Sequence, residues 1–166
     1  MTPMHYAVLT FGCRVNQADS IRLEEDLRAR GWTERAWKYA GSGCSAYFDK
    51  VGGQTDTACH GRTVGDISAV ARGLAIYNTS LPKAFKGWLE VDGTSASSPL
   101  IAGIIGASGS AGLRPSDLYA EPGAFNDVVG GSNGFCQGSY MCTAVPGYDG
   151  PTGLGTPEGS IPLPPA

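Results

Sequence analysis

Ser95 stands in the run Gly93-Thr94-Ser95-Ala96-Ser97-Ser98-Pro99, between a strand-like stretch and an apolar one. That setting suits a nucleophile. A hydroxyl at a helix N-terminus faces free backbone N–H groups and the positive end of the helix dipole, which stabilise the charge that develops when serine attacks a carbonyl. Gly93 and Ala96 leave room for a substrate backbone. Taken alone, the same residues also read as a serine-rich helix cap without chemistry.

A second constellation pairs Asp127, in Phe125-Asn126-Asp127-Val128, with Asp149, in Gly147-Tyr148-Asp149-Gly150. Both carboxylates lie in glycine-rich loops, which can turn their carbonyls inward. Ca²⁺ takes six to eight oxygens at about 2.3–2.6 Å from such donors. Without further context, ordinary Asx turns explain two aspartates in such loops equally simply.

The elements that must position these groups are short. Residues 74–77 and 88–91 read as strands, and 67–71 is a further apolar run. Pro99 to Ala107 is apolar on every side, so it is expected to form a buried helix with Pro99 in its first turn and Ser95 to Ser98 as hydroxyl caps. After Gly112 the text reads as loops, ending in the proline-rich IPLPPA. Upstream, residues 5–11 suit a strand, and Asn16 can cap a helix running to Arg30 with Gly31 as its stop, one βα unit.

The composition changes along the chain. The first 39 residues hold two of the 25 glycines and much of the charge, and the remainder is rich in Gly, Ser and Pro, which places a junction between 32 and 43. Cys44 with Cys59, and Cys136 with Cys142, have spacings that suit disulfides of an oxidising compartment, although five free thiols of a cytosolic protein fit the spacing too; Cys13 is left over. A net charge of −3 gives no electrostatic footprint for nucleic acid. No run is long and apolar enough for a membrane span, and the N-terminus has no secretory leader pattern.

The run GTSASSPLIAGIIG resembles the nucleophile segment of the sedolisins, serine-carboxyl peptidases with a subtilisin-like fold. The likeness extends through GSGCSAYF, QTDTACHGRTVGDISAVA and GWLEVDGTSASSP to GYDGPTGLGTP, over residues 36–160. It implies an α/β, partial subtilisin-like fold of parallel strands and a buried helix with long glycine-rich loops, preceded by a short βα unit. It implies that Ser95 is the nucleophile and that Ser97 and Ser98 cap or pack. It implies a Ca²⁺ site formed by the side chains of Asp127 and Asp149 and the carbonyls of Val128, Val145 and Gly147, and a secreted peptidase acting on protein or peptide at acid pH. At position 145 the family commonly has glycine.

The chain departs from the family pattern where the chemistry is demanding. The family's base is a Glu held by an Asp four residues on; here Glu24, Glu25, Glu34, Glu90, Glu121 and Glu158 are followed at that distance by Arg28, Ala29, Lys38, Thr94, Phe125 and Pro162. The Ser-Gly-Asp segment carrying the oxyanion-stabilising Asp has no counterpart, and Asp66 matches a structural position of the family. His60 reads as a surface residue beside a cystine. Asp92 replaces a small residue just before Gly93, and the turn Ala71-Arg72-Gly73 is shortened.

Residues 5–31, with VLTFGCRVNQADSIRLEEDLRARG, resemble the opening βα unit of radical-SAM tRNA methylthiotransferases. That family uses the cysteine matching Cys13 with two others to hold a cluster; the companions are absent, so no iron–sulfur centre is expected. The chain thus divides into residues 1–35, a foreign βα piece, and 36–166, the C-terminal part of a sedolisin-like domain. The expected function is serine-type proteolysis, with little activity unless the other half of the domain joins as a partner. A non-catalytic calcium-binding module or gene-fusion product is the alternative, and a tRNA-modifying fragment a weaker one.

Overall fold

The computed structural model describes residues 29–31, 33–80, 82, 86–109, 112–159 and 161. The strand expected at 5–11, nearly all of the helix expected at 16–30, Cys13, His5 and the tail 162–166 lie outside them. Gly31 has a φ of +79°, the left-handed setting suited to a helix stop.

Among the described residues, six short strands form three antiparallel pairs. β1 (Gly43–Cys44) pairs with β2 (Thr63–Val64), β3 (Leu74–Asn78) with β4 (Gly87–Val91), and β5 (Phe125–Asn126) with β6 (Thr156–Pro157). β3 and β4 match the expected strands within one residue. The expected parallel sheet is not seen among the described residues, where the one parallel pairing is the isolated bridge between Ala36 and Gly131. The cause is local: the connection between β3 and β4 is too short for a crossover, so the two strands fold back as a hairpin. The apolar run at 67–71 forms no ladder, its backbone being held instead by Ser68 N–H donating to Gly155 O at 2.9 Å.

Two α-helices follow, α1 (Ser97–Ala107) and α2 (Pro115–Ala120). The expectation of a buried apolar helix needs correction, since no residue of α1 is buried. Only Ile104 and Ile105 pack against the core cluster of Leu118, Phe125 and Ile161, and the described residues provide no layer over the rest of the helix. α2 falls where only loops were expected. Pro115 occupies its first turn, and the Asp117 carboxylate accepts the Arg114 N–H at 2.8 Å, an N-terminal signature legible in Arg-Pro-Ser-Asp. That backbone bond is the main reason the Asp117 carboxyl lies below its usual range; desolvation opposes it, and Arg114's side chain and Ser116 add smaller lowering effects.

Both expected disulfides are formed, Cys44–Cys59 and Cys136–Cys142. The first closes the loop from β1 to the start of β2, and that loop is also held by side chains. Asp56 accepts hydrogen bonds from Lys50 (2.9 Å), Thr63 Oγ1 (2.5 Å) and Tyr140 (3.2 Å). Burial opposes the charged carboxylate, yet these donors and the Lys50 charge together hold its pKa below the usual 3.8. Gln54 Nε2 donates to Thr63 O, Tyr119 Oη and Tyr148 Oη, bonding the loop to α2 and to the C-terminal turns.

Replacing Cys44 and Cys59 by serine is expected to cost about 3 kcal/mol, the loop-closure value for a span of this size, read as a lower urea midpoint with little change in slope. A depressed carboxylate contributes stability above its unfolded pKa and loses it as pH falls through the folded one. Asp56→Asn should therefore flatten the decline in unfolding temperature below about pH 4; an unchanged acid limb contradicts the role given to Asp56.

Candidate functional site

The approach to Ser95 is a set of backbone turns closed by two side chains. Gly93 N–H donates to Ala71 O at 2.7 Å, tying the end of the β4 strand to the turn that precedes β3. Asp92 Oδ1 accepts the Gly73 N–H at 2.9 Å, and its Oδ2 lies 3.6 Å from Arg72 Nε. The two local departures from the family pattern, the shortened 71–73 turn and the acid at 92, are thus bonded to each other. Neither was paired by sequence reasoning, because they lie 19 residues apart with a hairpin between them.

Beyond Gly93 the chain enters α1 through tight turns, with Ala96 N–H donating to Gly93 O and Ser97 N–H to Thr94 O. Ser95 lies on this entry, exposed to solvent. The helix starts at Ser97, two residues earlier than expected, with Ala96 as its N-cap and no side chain capping it. The serines therefore do not act as caps. Ser97 Oγ instead faces Val70 O at 2.8 Å and Ala69 O at 3.1 Å, a proton shared between two carbonyls, which fixes the first turn of α1 against the 67–71 segment. Ser98 is exposed. Thus Ser97 packs and anchors while Ser95 stays open.

The acidic pair meets at one loop. Val145 N–H donates to Asp149 Oδ2 at 3.0 Å, and Gly147 N–H donates to Asp127 Oδ2 at 2.7 Å, so two carboxylates far apart in sequence reach the same 145–149 turn. Asp149 is fully buried, and its Oδ1 accepts both the N–H and the hydroxyl of Thr152 at 2.8 Å. Burial raises its pKa most, the bonds from Thr152 and Val145 oppose that, and the negative charge of Asp127 raises it further. Neither carboxylate has a cationic partner among the described residues. Val128 lies beside Asp127 with its side chain buried, and Gly147 adopts a φ of +82°.

No cluster of three or more His, Cys, Asp or Glu side chains suited to a metal exists among the described residues. The acidic pair with neighbouring carbonyls is a different kind of donor set, all hard oxygen, and two mutually repelling carboxylates without a counter-charge fit a hard cation. His60 is exposed beside the Cys44–Cys59 cystine, in keeping with a surface residue. No helix among the described residues is long and apolar enough to cross a membrane.

No family model matches the chain. Curated proteins do: tripeptidyl-peptidase sed1 of Aspergillus fumigatus is 36% identical over 108 residues, covering 59% of this chain and 16% of that protein. Physarolisin of Physarum polycephalum is 32% identical over 138 residues, covering 72% and 23%. Aorsin of Aspergillus oryzae is 34% identical over 107 residues, covering 59% and 15%. Among solved structures, a Pseudomonas sedolisin, a serine-carboxyl proteinase complexed with two molecules of pseudo-iodotyrostatin, matches with a TM-score of 0.59 and 27% identity, over 79% of this chain and 40% of that one. The chain carries a sedolisin-like segment. It spans less than a quarter of the length of these curated relatives. The methylthiotransferase resemblance of residues 5–31 gains no support from the comparisons.

Within the sedolisin-like segment, the bonds around Ser95 give a graded expectation. Ser97→Ala and Asp92→Ala should each lower stability by about 1 kcal/mol, the net worth of a hydrogen bond. Ser98→Ala should be neutral within about 0.5 kcal/mol, as for an exposed surface substitution. Equal losses for all three in chemical denaturation contradict the anchor assigned to Ser97.

Proposed function

We propose that this chain is the nucleophile-bearing part of an acid-acting serine-carboxyl endopeptidase of the sedolisin kind, with protein or peptide as substrate. The observation that carries the reading is the exposed Ser95 on the turn before α1, with Ser97 anchoring that helix to Ala69 and Val70. The names of tripeptidyl-peptidase sed1 and of the serine-carboxyl proteinase sedolisin support it.

In this reading Ser95 Oγ attacks the scissile carbonyl at the positive end of α1, and its proton passes to a base. No Glu-x-x-x-Asp pair lies in this sequence, so a further part of the peptidase domain supplies the base and the oxyanion acid. Residues 36–166 form the peptidase part and 1–35 a separate βα piece. Asp127 and Asp149 hold Ca²⁺, completed by the carbonyls of Val128, Val145 and Gly147; the ion supplies the positive charge that the acidic pair lacks. Two disulfides suit a secreted location.

The absent base favours one alternative, a non-catalytic calcium-binding module. The readings separate in two measurements. The chain alone should show no Ser95-dependent hydrolysis of a denatured protein between pH 3 and 5; cleavage abolished by Ser95→Ala overturns the need for a second part. Ca²⁺ should raise the unfolding temperature of the wild type and leave Asp127→Asn unmoved, and equal responses of the two proteins overturn the calcium assignment. If adding the complementary part of a sedolisin domain restores no Ser95-dependent cleavage, the calcium module stands instead.

A further inference from the structure

Away from α1 and the β3–β4 hairpin, a cleft of about 420 Å³ opens between the Cys44–Cys59 loop, α2 and the C-terminal turns. The rings of Tyr119, Tyr140 and Tyr148 line it beside Asp56, and Pro122 and Leu154 add apolar wall. The volume lies within the range of about 300–1,000 Å³ usual for ligand clefts. Nothing in the proposed peptidase chemistry uses it.

Among the described residues, Asp56 is the one charged group that lines the cleft, and no Lys, Arg or His lines it. Lys50, Thr63 and Tyr140 donate to its carboxylate, which is held in the charged form. Only 3% of its side chain is exposed, so a ligand feels the charge mainly through the rings rather than by contact. A second acid stands behind Tyr119, whose hydroxyl donates to Asp66 Oδ1 at 2.9 Å. Lys50 pairs with Asp56 and Arg62 with Asp66, yet neither cation reaches the lining. Burial and then the Asp66 charge hold the Tyr119 phenol well above its ordinary value, and burial and then the Asp56 charge push Tyr148 up to about 12. Both phenols therefore stay neutral and sit in a negative potential.

The rings themselves strengthen that potential. Tyr119 and Tyr140 each donate a proton to a carboxylate, and such a bond polarises the phenol and enriches the negative face of its ring. Tyr148 donates to Gly65 O at 3.1 Å, and its ring lies 6.0 Å from that of Tyr119, tilted by 44° rather than stacked. Three electron-rich faces beside a carboxylate favour a cation over a neutral ligand. A primary ammonium has N–H donors to satisfy, and the Asp56 oxygens already accept three hydrogen bonds from the protein. A methylated ammonium carries its charge on C–H surface and loses little hydration, which suits rings flanked by Pro122 and Leu154. We infer that the Tyr119–Tyr140–Tyr148 cleft binds an organic cation of the trimethylammonium kind, an assignment independent of the peptidase reading.

The probe is choline, titrated into the full chain and followed by the proton resonance of its methyl groups. Saturable binding with a Kd of about 1 mM is expected, with an upfield shift from the ring currents. The uncharged tert-butyl analogue, in which carbon replaces the nitrogen, should bind about tenfold more weakly, and ethanolamine about fivefold more weakly. Maltotriose, which stacks on aromatic rings without a charge, should not bind. Tyr119→Leu should weaken choline binding about tenfold, and Tyr119→Phe, which keeps the ring but loses the bond to Asp66, about threefold. Neither change alters the net charge, so general attraction of cations to the chain is untouched. Should Tyr119→Leu fail to fold, the comparison of choline with its uncharged analogue on the parent chain decides by itself. Equal affinity for choline and that analogue, ethanolamine or maltotriose binding as tightly as choline, a folded Tyr119→Leu with unchanged affinity, or no saturable shift overturns the inference.

Discussion

A buried carboxylate organises the C-terminal half. Asp149 has no exposed surface, and an ion removed from water in this way must be met by donors or it forces the fold apart. Val145 N–H, Thr152 N–H and the Thr152 hydroxyl meet it, and together they bend residues 145–153 into a fixed turn closed by the Asp149–Gly153 bridge. At two positions, in the turn and just after it, there is no room for a side chain. A Cβ at Gly153 collides with the Asp66 carbonyl and one at Gly155 with the Asn126 carbonyl, so glycine is required at both places. Positive φ at the two positions adds a backbone reason for the same choice.

From this turn, order is passed along the main chain. Leu154 N–H donates to Asp66 O and Ser68 N–H to Gly155 O, which clamps the 66–68 segment onto the turn. A few residues further on, Ala69 and Val70 present the carbonyls that hold Ser97. The Ser95 segment is therefore held through a run of hydrogen bonds that begins at the Asp149 carboxylate and ends at the Ser97 hydroxyl, and the same acid is one of the two carboxylates proposed to hold calcium. On the proposed calcium assignment, a metal at the acidic pair would stiffen the Ser95 segment without touching it.

Where bonding partners are near in sequence, the text was readable. The β3 and β4 segments are apolar and bounded by turn residues, and the chain between them is short, so strand positions followed from composition. The spacing suited both cystines but fitted free thiols as well, and the structure forms both. The approach of Asp127 to Asp149 was expected only through family likeness, since nothing in two distant Gly-rich loops specifies that they meet. The start of α1 was misplaced because Ser97 finds better acceptors in Ala69 and Val70 than in its own helix end, and the missed α2 is a single short helix under a weak apolar signal. The bond between Asp92 and Gly73 joins positions on either side of a hairpin, and burial of α1 depends on layers that its own sequence does not contain.

The most direct test of this chain of positioning is amide hydrogen exchange in Asp149→Asn, which keeps the side-chain shape and removes the charge that gathers Val145 and Thr152. If the turn positions the Ser95 segment, protection should fall together at Thr152, Leu154 and Ser68 and at the α1 amide of Leu100. Loss confined to the Thr152 amide, with Ser68 and Leu100 as protected as in the parent, contradicts the dependence of Ser95 on the buried acid.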